Sequence, residues 1–303
     1  MIYHTPVLLE ESVTGLDIKP DGIYVDLTFG GGGHAAGVLK KLGKKGRLLA
    51  FDQDMDANQN TISDKRFTFI KSNFRFLKNF LRYYKIEKID GLLADLGISS
   101  HQIDMAERGF SFMKDADLDM RMNQGSNIRA YDIINDYSEE ELTRVFREYG
   151  ELPNAKALAG KVMFMRNKSK IKTTGELAEG LSSLLPFQKR NKSLAQVFQS
   201  LRIEVNGEIE ALKELLLQLP GFFLPGGRAV FITYHSLEDR MVKNFFKTGD
   251  LAGAVDTDFY GNVSAPFRLL NKSGTVPSEE EINKNPRARS ARLRIAEKTD
   301  YAG

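Results

Sequence analysis

The chain has 303 residues with a net charge of +3, 42% apolar and 27% charged residues, the balance of a soluble globular protein of one large or about two domains. It has no cysteine, which excludes disulfide scaffolds, thiolate metal sites, cysteine-held iron–sulfur clusters and cysteine nucleophiles. No apolar run approaches the roughly 18 residues of a membrane span, and the first residues lack a basic lead into an apolar stretch, so a cytoplasmic location is expected.

Through the first hundred residues strand and helix signals alternate, the pattern of a parallel sheet with crossover helices. Residues 23–28 predict strand one, followed by the turn Phe29-Gly30-Gly31-Gly32-Gly33-His34 and a helix over 35–42 that ends at Gly43. Residues 47–52 predict strand two, ending on Asp52, then a helix over 55–63. Strand three falls at 67–71, a helix at 74–84, and strand four at 89–96, which again carries an acid, Asp95. The alternation then stops: from about 104 to 201 the pattern is loops and amphipathic helices. One of these helices opens on the capping box Ser138-Glu139-Glu140-Glu141, and another opens near Thr174. A helix is expected over 202–219, a turn at Leu224-Pro225-Gly226-Gly227, a strong strand at 228–234, a helix at 237–246, and two further strands at 266–270 and 292–296. The expected fold is therefore a doubly wound α/β sheet, residues 1–104 and 202–303, interrupted by a helical domain at 105–201.

The net charge hides an uneven distribution. Residues 161–192 hold eight Lys/Arg and two Glu, net +6, and residues 284–298 hold six Lys/Arg and one Glu, net +5. Two basic segments on an otherwise acidic body point to a polyanionic partner, although such runs also serve as solvated faces. The four histidines, His4, His34, His101 and His235, have no metal-site spacing. The stretch Asp115-Ala116-Asp117-Leu118-Asp119 is not an EF-hand loop, because Met120 and Ser126 stand where Gly and Glu are needed.

A strand, a glycine-rich turn and a helix make a ready site for a nucleotide-like ligand. Asp52, at the end of strand two, is placed to accept hydrogen bonds from ribose hydroxyls. NAD and S-adenosylmethionine both fit that much. The dinucleotide fingerprint is imperfect, with Ala36 in its last place, and the Walker pattern is absent. Acids at three strand ends, Asp26, Asp52 and Asp95, suit the sulfonium and amine of S-adenosylmethionine better than they suit a pyrophosphate.

The motifs then become specific. They are His4-Thr5-Pro6-Val7-Leu8-Leu9-Glu10, Asp26-Leu27-Thr28-Phe29 with the glycines to His34, Asp95-Leu96-Gly97-Ile98-Ser99-Ser100-His101-Gln102 and Arg108-Gly109-Phe110-Ser111-Phe112. They continue with Leu118-Asp119-Met120-Arg121-Met122, Phe198-Gln199-Ser200-Leu201-Arg202-Ile203, His235-Ser236-Leu237-Glu238-Asp239-Arg240 and Asn285-Pro286-Arg287-Ala288-Arg289-Ser290-Ala291. In this order they resemble the bacterial 16S ribosomal RNA (cytosine-N4)-methyltransferases, the H-type small-subunit family, almost end to end. The resemblance implies a class I methyltransferase fold with an inserted helical domain. It implies methyl transfer from S-adenosylmethionine to N4 of a decoding-centre cytidine in small-subunit rRNA. By motif position it implies Gly32, Gly33, His34, Asp52, Phe74, Asp95 and Gln102 as cofactor residues. Two positions depart from the family pattern: Ser193-Leu194-Ala195-Gln196-Val197 replaces a His-Pro-Ala-Thr-Arg-like stretch, and Ala35 replaces a serine.

Cytosine N4 is a poor nucleophile because its lone pair is delocalised, so alignment and electrostatics must carry the reaction. Asp95 and His235 are the candidates to accept the N4 proton. Asp95 also reads as a pure cofactor contact, and His235 as a capping or core histidine. Tyr234, Phe110 and Phe112 are candidates to stack on the base, with ordinary packing as the alternative. Arg121 and Arg202, and in the tail Arg287, Arg289, Arg292 and Arg294, are candidates for phosphate contact. The competing functional readings are an NAD-dependent oxidoreductase and a non-catalytic RNA-binding factor. The ribosomal small subunit is the expected partner, with monomer and homodimer both open.

Overall fold

The computed structural model describes residues 6–257 and 265–300; His4 lies outside them. The chain divides into two compact units, Met1–Gly97 with Ile209–Gly303, and Ile98–Glu208. Each boundary falls seven residues outside the 105–201 read from the sequence.

The first unit is a sheet with helices. Its strands are β1 (Ile23–Asp26), β2 (Arg47–Asp52), β3 (Phe67–Lys71), β4 (Ile89–Asp95), β5 (Phe223–Thr233), β6 (Phe267–Leu269) and β7 (Arg292–Lys298). Their order is β3-β2-β1-β4-β5-β7-β6. The pairs from β3 to β5 are parallel, and β7 runs antiparallel to both β5 and β6. This is the class I methyltransferase arrangement implied by the resemblance. β2, β4 and β5 are nearly continuous apolar runs because both faces of the sheet are covered. Side chains alternate between the faces: Val25, Leu49, Phe51, Leu92, Ala94 and Phe231 enter one core, while Tyr24, Leu48, Ala50, Leu93, Val230 and Ile232 enter the other. The strand order reverses between β1 and β4, so a crevice is expected beyond their carboxyl ends.

The helices of this unit are α1 (Leu9–Gly15), α2 (Gly33–Lys41), α3 (Leu77–Tyr83), α10 (Glu208–Gln218, its first residue in the other unit), α11 (Ser236–Thr248) and α12 (Glu279–Lys284). Several expectations need correction. The helix read over 55–63 is a 3-10 helix, Met55–Asn60, with the Asp54 carboxylate accepting from Asp56 N. The turn at 224–227 is a bulge inside β5, which pairs with β4 at Phe223 before it and at Arg228 after it. The helix read over 202–219 is two helices. Gly207 takes a left-handed φ of 59° and ends the first of them, a conformation that costs glycine little.

The second unit is helical: α4 (Ser100–Asp104), α5 (Ala130–Asp136), α6 (Glu139–Glu148), α7 (Ala155–Arg166), α8 (Thr174–Leu181) and α9 (Arg190–Asn206). The capping box expected at Ser138 is present, with Glu141 as its partner. The unit has its own core, including Ile133, Leu142, Phe146, Leu158, Leu177, Val197 and Leu201. The departing stretch at 193–197 lies in α9 and sends Leu194 and Val197 into that core. Among the described residues no helix is long and apolar enough to cross a membrane.

Candidate active site

Three acids gather at the carboxyl ends of adjacent strands in the sheet unit. Asp26 closes β1, Asp52 closes β2 and Asp95 closes β4. The turn after β1 wraps around them: Gly30 N donates to Asp52 Oδ2 at 2.8 Å, Thr28 N to Asp26 Oδ1 at 3.1 Å, and Asp95 N to Thr28 Oγ1 at 2.6 Å. Gly30 and Gly32 have φ of 49° and 77°, so the turn needs residues without a Cβ. Gly33 opens α2 beneath Pro6, whose Cγ would lie 2.0 Å from an added Cβ.

The charge state of this cluster follows from its surroundings. Desolvation pushes Asp26 up to about 6, against the opposing pull of His34 and the Thr28 N–H. Desolvation also lifts Asp52 to about 6, against N–H groups of Asp54 and Gly30. Asp95 rises to about 7 from desolvation, even though the Tyr234 hydroxyl donates to its Oδ1 at 2.8 Å. The Asp95 side chain still keeps 23% of its surface open, so it is reachable by a ligand. Asp26 Oδ2 is buried without a hydrogen-bond partner.

His34 is buried, and burial lowers its pKa. Its Nε2 lies 3.0 Å from Val7 O. A carbonyl only accepts, so Nε2 carries the proton in that contact. The neutral ring then presents a bare Nδ1 to Asp95 Oδ2, 3.8 Å away. Phe74 begins the 3-10 turn after β3 and packs against the core. Its neighbour Asn73 donates to Gln53 Oε1 at 2.9 Å, which ties that turn to the end of β2.

Tyr234 and His235 follow β5. Tyr234 is committed through its hydroxyl to Asp95. Tyr234 N donates to Glu238 Oε2 at 2.9 Å, and Glu238 Oε1 lies 3.1 Å from His235 Nε2. Neither His235 ring nitrogen has a hydrogen bond of good geometry. The sheet unit thus brings together Gly32, Gly33, His34, Asp52, Asp95 and Tyr234. Val7, Thr28 and Glu238 were missed by the sequence reading; no residue pattern signals that a backbone carbonyl will set a histidine's tautomer.

Gln102, Arg121, Arg202, Phe110 and Phe112 lie in the helical unit, and Arg287, Arg289, Arg292 and Arg294 in the sheet unit. Gln102 is buried and shares a capping box with Ser99. Arg121 is held by Asp119 (Nη2–Oδ2 2.6 Å) and by the carbonyls of Gln124 and Ser126. Arg202 makes a two-point pair with Glu208 at 2.8 and 2.9 Å. Phe112 packs edge-on against Phe198 and Phe110 is buried. In the sheet unit, Arg294 is buried and doubly paired with Asp239, which assigns it to the fold rather than to a phosphate.

The residues present fit S-adenosylmethionine. Its cationic sulfonium and amine match a cluster of desolvated carboxylates, one of them with an orphaned oxygen. Asp52 already accepts from the N–H groups of Gly30 and Asp54 at 2.8 Å each, and its remaining accepting capacity is open to a hydroxyl donor. The same three carboxylates would repel a pyrophosphate, which disfavours the dinucleotide alternative. Among the described residues no cluster could hold a metal ion.

Residues 1–299 match the MraW methylase family. The chain is 56% identical over 298 residues to a protein of Bacteroides thetaiotaomicron named ribosomal RNA small subunit methyltransferase H, covering 98% of both. A protein of the same name from Flavobacterium johnsoniae is also 56% identical, again with 98% of each covered. Among solved structures, an rRNA methylase from Streptococcus thermophilus is similar at 13% identity and a TM-score of 0.44 over 99% of each chain.

Proposed function

The chain belongs to the MraW methylase family, and from that premise we propose that it methylates the exocyclic N4 of a decoding-centre cytidine in small-subunit rRNA, using S-adenosylmethionine. The observation that carries this reading is the acid cluster Asp26, Asp52 and Asp95 beside the glycine turn. The names of the relatives support rRNA of the small subunit as the acceptor. Gly32, Gly33, Asp52 and Phe74 would hold the cofactor, with the N-terminus of α2 available to its carboxylate. When bound, the cofactor supplies an electrophilic methyl on a good leaving group.

The chain's own contribution is to align the base and receive a proton. Accepting the N4–H draws the lone pair out of the ring and toward the methyl. Asp95 suits that role because it is reachable and because its pKa of about 7 lies near working pH, where a general base is most effective. The Tyr234 hydroxyl fixes the orientation of one Asp95 oxygen, leaving the other for the amine. His235, beside Glu238, is the second candidate acceptor. The absence of cysteine supports nitrogen over ring carbon C5, since addition at C6 calls for a thiolate. The helical unit, with its net +6 segment, is the part we assign to RNA recognition, and such a substrate would place the protein in the cytoplasm. A base in folded rRNA must be turned out of its stack to react.

The test uses purified protein, small ribosomal subunits lacking the modification, and methyl-labelled S-adenosylmethionine, followed by digestion to nucleosides. Label in N4-methylcytidine is the expected result. Label in C5-methylcytidine or a ribose-methylated nucleoside would replace the N4 assignment, and cofactor binding with no transfer to any nucleoside would favour a binding factor.

A further inference from the structure

Phe164, on the last turn of α7, leaves 55% of its surface in water. Lys168 Nζ lies 4.4 Å from the ring centroid and Lys161 Nζ 5.5 Å from it. Among the described residues neither lysine has a carboxylate partner. The loop that follows is pinned to α5. Arg166 Nη1 donates to Ile134 O at 2.9 Å, while Asn135 and Ile171 exchange hydrogen bonds of 2.8 and 3.0 Å. The Lys170 ammonium and the Arg129 guanidinium lie 5.6 and 5.1 Å from the half-buried Tyr131 ring, but these two cations are paired with Asp136 and Asp132. The Phe164 arrangement recurs at Phe187, which is 83% exposed with the Arg190 guanidinium 5.2 Å from its ring.

Folding alone does not account for this surface. Cations near a helix C-terminus suit the dipole, but they need no phenyl ring beside them. An exposed cation–π contact is too weak to offset the cost of keeping a large ring in water. Exposed rings beside cations that have no carboxylate partner among the described residues, Phe164 with Lys161 and Lys168 and Phe187 with Arg190, match one chemistry closely: unpaired nucleotides, whose bases stack on the rings while their phosphates meet the cations. Duplex RNA offers no free base face, and an acidic peptide offers no base at all.

We propose that the end of α7 and the loop 167–172, with Phe164 between Lys161 and Lys168, form a stacking platform for unpaired nucleotides of RNA. This rests on the rRNA substrate proposed above and adds the surface that holds nucleotides other than the reacting one.

The test is titration of the full-length protein with a fluorescent single-stranded oligoribonucleotide across a salt series, and with modification-deficient small subunits. Phe164→Ala is expected to weaken RNA binding by about tenfold while leaving the salt slope unchanged, and Phe164→Tyr to bind as the parent does. Lys161→Gln with Lys168→Gln is expected to flatten the slope of log K against log salt by about 1.4. Thermal unfolding and S-adenosylmethionine binding should stay unchanged in all three. Wild-type RNA affinity in Phe164→Ala would overturn the platform, as would a Phe164→Leu protein that binds as well as Phe164→Tyr. Tighter binding of the parent to anionic phospholipid vesicles than to RNA would overturn it in favour of a membrane surface. If the platform alone is wrong, the parent still methylates rRNA while the variants bind RNA normally. If the parent neither binds nor methylates rRNA, the functional reading fails and the platform with it.

Discussion

Asp95 lies at the meeting of three influences that no single residue pattern announces: the end of β4, the Tyr234 hydroxyl, and the bare Nδ1 of His34. Its part in proton acceptance separates from simple hydrogen bonding in Asp95→Asn, since an amide carbonyl accepts a hydrogen bond but takes no proton. That variant is expected to lose methyl transfer by on the order of 10²–10⁴ in single-turnover assays. Its melting temperature near pH 7.5 should be unchanged or higher, because it removes a carboxylate that desolvation penalises. A near-normal rate would assign Asp95 to cofactor contact alone. The raised pKa values of Asp26 and Asp52 (about 6) and Asp95 (about 7) also fix a sign. In the free protein these groups hold protons that the unfolded chain has already released between about pH 4 and 7. Their contribution to stability is therefore full at low pH and lost as pH rises through that window. A cationic ligand reverses the dependence, because it favours the ionised cluster. Affinity for S-adenosylmethionine should therefore rise between pH 5.5 and 7.5 in calorimetric titrations. S-adenosylhomocysteine, which lacks the sulfonium charge, should show a weaker rise, and equal slopes for the two would deny the cluster that role. The acids themselves were legible in the sequence as strand ends. Their protonation was not, because burial and neighbouring charge depend on chain segments brought in from elsewhere, such as Glu238 in α11, whose charge raises the Asp95 pKa beyond desolvation.

At the scale of the element, the glycine turn and α2 were readable because glycine at Gly30 and Gly32 answers a local backbone need. The packing of residues 6–8 over that turn was not. Pro6 against Gly33, Val7 O on His34, and Leu8 N on Glu281 Oε1 at 2.8 Å join segments that share no local pattern. Gly33→Ala therefore must displace Pro6. It is expected to cost about 1–3 kcal/mol in urea unfolding, the usual range for overpacking. Gly221→Ala, whose added Cβ meets nothing within 4 Å, should leave stability nearly unchanged. The break at Gly207 went unread for the opposite reason. Apolar spacing continues from α9 into α10, and periodicity alone does not distinguish a glycine inside a helix from one that ends it.

In the whole molecule, the parallel half of the sheet was evident from alternating apolar runs, and so was the point where the alternation stops. The arginines were harder to assign. Arg121, Arg202 and Arg294 read as phosphate ligands by charge, yet each is held by an acid, Asp119, Glu208 and Asp239 respectively. A one-dimensional pattern carries charge but not pairing. The helical unit has a core of its own, and Phe146 is fully enclosed in it. Phe146→Ala is expected to destabilise that unit by about 3–5 kcal/mol. Hydrogen exchange should show the loss in α6, α7 and α9 while β1 and β4 keep their protection, and uniform loss across both units would instead indicate one cooperative fold. Where the methyl goes is decided most directly by fragment mass spectrometry of rRNA recovered from modification-deficient small subunits after incubation with the protein and labelled S-adenosylmethionine. One labelled fragment is expected, from the decoding centre, with the methyl on cytidine N4, and no label with Asp95→Asn. Label spread over many fragments, carried on another atom, or undiminished in Asp95→Asn would contradict the proposed reaction.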